Sequence, residues 1–311
     1  MVRHIRKNGH QQKTRIDKII KGVLFTVTLF CASIILFIVM FIFIHGIKPF
    51  VNSYQVGEYW YRVNFWRFMT GTVWFQAPNV YGIGFIIINT LYVVGLALAI
   101  AAPVSILTAL FVSRIAPHLV GKVITTVIEL LAAIPSIIYG LFGMGIVTKF
   151  VKNLAKIFNY QSAGGLSTLS TVIVLAIMII PTITMISIAS IKAVKRDMID
   201  ASLALGASPT QTNFKVVLKS AQSGIFSGII LGVGRALGEA TAVSMVAGNR
   251  GSGPTFNLFD ITRTLTSTML LGLKETAGLD YDIRFSVGII LICLIFGVNF
   301  LLNMVKRRLS R

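Results

Sequence analysis

The chain has 311 residues, 55% of them hydrophobic and only 13% charged, too little polar surface for a soluble domain of this length. Lys and Arg outnumber Asp and Glu by 29 to 10. No basic run is interleaved with aromatics as base stacking needs, so the excess reads as basic residues crowding one side of a membrane rather than as a nucleic-acid surface.

Residues 1–21 form a basic tail, with Arg3, Arg6, Lys7, Lys13, Arg15, Lys18 and Lys21 against Asp17. The apolar run from Gly22 to Ile44 follows. It is longer than a signal-peptide core and lacks a small-residue cleavage site, so it is expected to be a first transmembrane helix. Residues 45–79 are polar and rich in Trp and Tyr, as suits a membrane–water boundary, and close a first segment of residues 22–79. The core, residues 80–305, holds five further spans: Tyr81–Val112, Val123–Val147, Leu169–Ile191, Gln222–Ala247 and Phe285–Val305. A basic tail of residues 306–311 ends the chain.

Six spans put both termini on one side. That side carries eighteen of the 29 Lys and Arg residues in the shorter segments, and the opposite side ten in longer ones. Both termini are therefore expected in the cytoplasm of a multi-pass membrane protein. Pro103, Pro135 and Pro181 each remove a backbone hydrogen bond inside a span, either as a simple kink or as the irregular backbone of a transport core.

Cys31 and Cys293 lie in apolar runs without a CxxC neighbour. His4, His10, His45 and His118 have no metal-ligand spacing. The Gly-rich stretch Gly248–Thr255 lacks the Lys-Ser/Thr ending of a phosphate-binding loop. No metal, cofactor or nucleotide is expected in this chain, and no catalytic constellation stands out.

The loop at 191–221 is expected on the cytoplasmic side. Asp197 can cap a helix starting at Met198, and Gly206 can end it in the left-handed conformation. Ser208, Pro209 and Gln211 then form the pattern of a capping box with Pro at the first helical position. Met198, Ile199, Leu203 and Leu205 leave the first piece little polar surface. It must bury against either its own transmembrane ends or a partner.

In the fifth span, Gly224, Gly228 and Gly232 recur every four residues and make a stripe roughly 80° wide at about 100° per residue. Such stripes allow close helix approach in lipid. Arg235 and Glu239 fall about 20° and 60° from Gly224 on the same wheel. Either the two pin the helix as an i,i+4 pair, or they mark a path. An oxyanion crossing a membrane needs a donor fork that keeps its charge, and Arg supplies one. Glu129 in the third span is a weaker path candidate, suited to hydrogen bonding at the cytoplasmic end.

The segment IDASLALGASPTQTNFKVVLKSA resembles the "EAA" loop of ABC importer permeases. Asp200, Ala201, Ser202 and Gly206 fall on its acid-Ala-Ala-Gly pattern, with Asp for the usual Glu and Lys219 where Pro is common. NTLYVV, IELLAAIPSIIYGLFG, GVGRALGEATAVSMVAGN and the FMTGTVW stretch together resemble the phosphate-specific, PstC-type permeases of that family. The resemblance runs from about Asn64 to Val305. It implies a type I ABC importer fold, in which the helix at 198–205, including Leu203, docks on an ATPase. It implies Arg235 and Glu239 in transport. It also implies a PstA-like second permease, two ATPase subunits using ATP and Mg, an extracytoplasmic phosphate-binding protein, and a bacterial plasma membrane. An importer of another oxyanion stays open. So does a self-contained secondary transporter or channel, although that would leave the 198–205 helix without a partner. A non-transporting membrane scaffold offers no reason for Arg235.

Overall fold

The computed structural model describes the backbone of residues 2–56, 58–76 and 79–309, and the side chains of residues 17–55, 58–76 and 79–308. The side chains of the basic tail before Asp17 lie outside the described residues. Six described helices are long and apolar enough to cross a membrane: Asp17–Val51, Gly84–Ile115, Ser136–Ile157, Thr168–Lys192, Pro209–Gly238 and Leu279–Arg308. The expectation of an all-α membrane fold with six spans holds.

In chain order, α1 (Val2–Val51) leads into a small cap. The cap contains the antiparallel pair β1 (Tyr54–Val56) and β2 (Tyr59–Tyr61), the helix α2 (Phe65–Thr70), and the antiparallel pair β3 (Trp74–Phe75) and β4 (Val80–Tyr81). Helix α3 (Gly84–Leu110) closes in a π turn and is followed by α4 (His118–Ala133), α5 (Ser136–Phe142), α6 (Thr148–Ile157) and α7 (Thr168–Lys192). Two short helices, α8 (Arg196–Ala204) and α9 (Pro209–Gln211), connect to α10 (Leu218–Gly238), α11 (Thr241–Val246), α12 (Leu265–Leu270) and α13 (Leu279–Leu309).

Helix α7 is the axis of the bundle. Its Val172, Leu175, Ala176, Ile179 and Ile183 pack with Val93, Ala97 and Ala101 of α3 and with Val233, Ala236 and Leu237 of α10. Small side chains on the two flanking helices let the backbones approach, which is how helices gain packing where lipid offers no hydrophobic drive. The cap has its own core, in which Phe68, Trp74, Tyr81 and Ile83 pack on Phe85, Leu265 and Ile283. Asn64 starts α2 by accepting hydrogen bonds from the amides of Trp66 and Arg67.

Among the described residues, helix α1 leans on the bundle at its C-terminal end. There Gly46 lets it touch α13, since a Cβ at that position would sit 2.7 Å from the Phe285 carbonyl oxygen. His45 Nδ1 lies 2.7 Å from Asp282 Oδ1, and Tyr54 donates to the other carboxylate oxygen at 2.6 Å.

Pro103 and Pro181 ride inside continuous helices, whereas Pro135 breaks one. The third span is therefore not the single helix Val123–Val147 expected from its apolar run. Helix α4 stops at Ala133, Ile134 and Pro135 are extended, and α5 restarts at Ser136. The residue before a proline is driven out of the helical region, so the break falls at Ile134.

Candidate transport path and coupling surface

The fifth span is broken as well. Its apolar pattern suggested one helix to Ala247, but α10 ends at Gly238 and Glu239 is extended (φ −76°, ψ 113°). The side chains around the break satisfy its backbone. Glu239 Oε1 accepts the Ala242 amide at 3.0 Å and so begins α11. The Glu239 carbonyl accepts Thr266 Oγ1 at 2.7 Å. Arg235 Nη1 donates to Thr182 Oγ1 on α7 at 2.8 Å. Among the described residues Arg235 and Glu239 form no ion pair, because the break turns Glu239 away from the α10 wheel. Of the two alternatives the sequence left open, the i,i+4 pair is thus not the arrangement found among the described residues. Both side chains are half-buried.

The two breaks face each other across one packed contact. A Cβ on Gly140 of α5 would lie 3.1 Å from the Ala242 Cα of α11. The Tyr139 hydroxyl donates to the Leu131 carbonyl at 2.7 Å, which also accepts the Ile134 amide at 3.3 Å at the end of α4. Non-helical backbone at membrane depth is tolerated only where protein buries it or a cavity wets it.

The glycine stripe lies against α7. A Cβ on Gly224 would come within 2.7 Å of Ser190 Cβ, one on Gly228 within 3.2 Å of Ile186 Cβ, and one on Gly232 within 2.7 Å of Ile183 Cγ1. This close approach is what brings Arg235, one turn further on, within reach of Thr182.

Glu129 lies elsewhere. It is exposed on α4 and lines a cavity of about 610 Å³ with His118, Lys122, Thr125 and Lys192, the last at the end of α7. Charge in this basin is mostly basic, and Glu129 is its acidic member.

In the connecting loop, α8 begins two residues earlier than the sequence suggested. Lys195 is its N-cap, and Asp197 sits in the first turn, where its charge suits the helix dipole. Gly206 ends the piece with φ +82°. Ser208 and Gln211 make the reciprocal capping box at 3.2 and 3.0 Å. Ser202 Oγ lies 3.0 Å from Thr212 Oγ1 and ties the two pieces of the loop together.

The apolar residues at 198–205 divide between a packed side and an open one. Ile199 is 6% exposed and packs among Leu110, Ile191 and Val217. Met198, Leu203 and Leu205 are 45%, 41% and 90% exposed, and Asp200 and Ala201 share that open surface.

The family described as "Binding-protein-dependent transport system inner membrane component" matches residues 101–311. The probable ABC transporter permease protein YqgH of Bacillus subtilis is 32% identical over 247 residues, 78% of each chain. The chain belongs to this family of ABC importer permeases. The phosphate transport system permease protein PstC of Pasteurella multocida is 31% identical over 232 residues, 70% of this chain and 72% of that one. The resemblance to PstC-type permeases therefore holds over most of the sequence. Among solved structures, a permease chain of a bacterial alginate ABC transporter superposes with a TM-score of 0.62 at 18% identity, covering 94% of this chain and 98% of that one. The permease is a multi-pass protein of the bacterial plasma membrane.

The segments from α11 into α13 hold charged groups that the sequence did not single out. Asp260 organises the segment after α11: its carboxylate accepts Arg250 Nη1 at 3.0 Å, Thr255 Oγ1 at 2.7 Å and the Tyr160 hydroxyl. Burial pushes the Asp260 carboxyl up, but these donors outweigh it and hold it below the usual Asp range. Nearby, Arg263 Nη2 donates to the Asn249 carbonyl at 3.0 Å, and Arg284 Nη1 to the Thr268 carbonyl at 2.8 Å. Burial, and then the charge of Arg284, pushes Arg263 down to about 10, so it stays protonated at neutral pH.

Proposed function

We propose that the chain is the permease subunit of an ATP-driven phosphate importer, with Arg235 as the group the anion meets partway across. The observation that carries this reading is Arg235 itself: a half-buried guanidinium at the unwound end of the fifth span, partnered by a hydroxyl rather than a carboxylate. A charge at the centre of a membrane helix costs about 2.5–3.5 kcal/mol on insertion scales and less toward its end, and a purely structural contact could be made by an apolar pair at lower cost. An Arg fork remains protonated and matches a tetrahedral oxyanion bidentately. The names of several relatives near 30% identity, all phosphate permeases, favour phosphate as that anion.

In this reading Glu239 keeps the break open by capping α11, and Glu129 lies in the basic basin through which the anion leaves. A second, PstA-like permease supplies the other wall of the path. An extracytoplasmic phosphate-binding protein delivers the anion to the outer cap. The termini and the 191–221 loop face the cytoplasm. There the exposed surface of α8, with Asp200, Ala201, Ser202 and Leu203 and its end set by Gly206, receives one of two ATPase subunits. Those subunits hold the ATP and Mg, and this chain performs no hydrolysis of its own.

The test is uptake of labelled phosphate into proteoliposomes containing the purified complex, its binding protein and internal ATP. Phosphate accumulation that depends on ATP and exceeds sulfate accumulation is expected. Accumulation of sulfate in preference to phosphate, or purification of the chain without any ATPase, would overturn the reading.

A further inference from the structure

The outer face holds two buried guanidiniums that the path through Arg235 does not use. Arg284 is 3% exposed and Arg263 is half-buried, and both line one cavity of about 260 Å³ with Trp74, Gln76, Thr268 and Gly272. Each Arg spends one Nη on a backbone carbonyl. In both, Nε is buried without a hydrogen-bond partner among the described residues. Neither forms an ion pair there. Asp280 and Glu275 act on Arg284 only through longer-range attraction, and Asp280 Oδ1 is itself buried and unpartnered. Two like charges sharing a pocket, each with an unused N–H, oppose folding unless something negative joins them.

The pocket is shaped to keep that space open. Gly272 has φ +71°, and a Cβ there would lie 2.9 Å from Arg284 Nη2. Thr268 ends its side chain on the Thr264 carbonyl, which leaves the two guanidiniums as the cationic donors of the pocket. The cavity also connects to the break in the fifth span. Helix α12 carries Thr266, whose hydroxyl holds the Glu239 carbonyl, and two residues on Thr268, whose carbonyl holds Arg284.

We propose that Arg263 and Arg284 form an outer binding site for a tetrahedral oxyanion, a waiting station ahead of Arg235. The role as a station rests on the import reading above; the site itself rests on the pocket. Its ligand accepts from the Nη groups of both guanidiniums at once and supplies the negative charge that the buried pair lacks. Because α12 spans the pocket and the break, filling the pocket bears on the backbone next to Glu239.

The experiment uses the intact complex in detergent without its binding protein, titrated with labelled inorganic phosphate and, in parallel, sulfate. The wild-type complex is expected to bind an oxyanion at a site that Arg263→Gln weakens at least tenfold and that Arg263→Lys partly retains. Arg235→Gln is expected to leave that site in place. Equal thermal stability of the variant complexes separates lost binding from lost folding. No oxyanion binding by the wild type, or affinity unchanged by Arg263→Gln in a stable complex, overturns the site. Added phosphatidylglycerol distinguishes the two sources of this chemistry. If the lipid abolishes phosphate binding in the wild type and co-purifies through Arg263, the pocket holds a headgroup and the waiting station is wrong. Sulfate binding here together with sulfate uptake keeps the site and overturns phosphate as cargo. Normal phosphate uptake with no binding at this pocket overturns only the site.

Discussion

The Glu239 carboxylate accepts the Ala242 amide at 3.0 Å, so the same residue ends α10 and begins α11. This contact separates Glu239 from Arg235, which turns to Thr182 at 2.8 Å. The two charges therefore carry different duties, and their variants should diverge. Arg235→Gln is expected to assemble at wild-type abundance and to lower phosphate uptake at least tenfold, with Arg235→Lys recovering part of it, since a point charge lacks the planar fork. Glu239→Gln keeps an acceptor oxygen for the cap and should transport better than Glu239→Ala, which also loses about 1 kcal/mol of capping. The double change to Gln should stay as low as Arg235→Gln alone. Uptake measured at equal complex abundance decides this, and near-normal transport in the double variant would make both residues structural.

Leu203 and Ile199 sit one turn apart on α8 with opposite fates, the first 41% exposed and the second 6%. Leu203→Asp is expected to leave insertion and thermal stability unchanged while ATP hydrolysis loses its coupling to uptake. Ile199→Asp buries a charge among Leu110, Ile191 and Val217 and should lower stability, by about 3 kcal/mol or more. Comparing melting temperature with coupled hydrolysis in the two variants tests the division. A Leu203→Asp complex that couples like wild type would remove α8 as the docking element.

Gly224 faces Ser190 so closely that a methyl group would meet the Ser190 Cβ at 2.7 Å. Gly224→Ala should destabilise the permease by about 1–3 kcal/mol through overpacking. Ser190→Gly in the same chain opens the space again and should recover most of that loss, beyond what additivity of the single variants gives. Thermal melts of the two single variants and the double variant form the cycle. Simple additivity would mean that the stripe is not in contact with α7.

Asp260 is held below its ordinary value of 3.8 by its hydrogen-bond donors, against the opposing effect of burial. A carboxyl depressed on folding stabilises the outer segment at pH values above its unfolded pKa, and that contribution fades as pH falls through the lower folded value. Protection of the amides in residues 250–262, taken relative to their intrinsic exchange rate at each pH, should therefore be high at neutral pH and fall below about pH 4. Asp260→Asn should show the lower protection already at pH 7. Protection unchanged by either treatment would show that Asp260 does not hold the segment.

The sequence alone determined the membrane class, the six crossings, the capping box at Ser208 and Gln211, and the left-handed end at Gly206. Each depends on composition or on residues a few positions apart: apolar length sets a crossing, and local side-chain chemistry sets a cap. The periodicity of Gly224, Gly228 and Gly232 likewise showed which face comes close to a neighbour, but not that the neighbour is α7. Tertiary structure decided what local pattern could not. An apolar run gives no sign that Glu239 leaves the helix, because the donors that make the break tolerable, the Ala242 amide and the Thr266 hydroxyl, come from beyond it. Pro135 signalled a disturbance, yet Pro103 and Pro181 carry the same local signal inside unbroken helices. Arg263 and Arg284 stand twenty-one positions apart in a segment of unremarkable charge. They became a pair only when α12 and α13 folded back on the cap, since a buried charge is defined by what surrounds it in space and not by its neighbours along the chain.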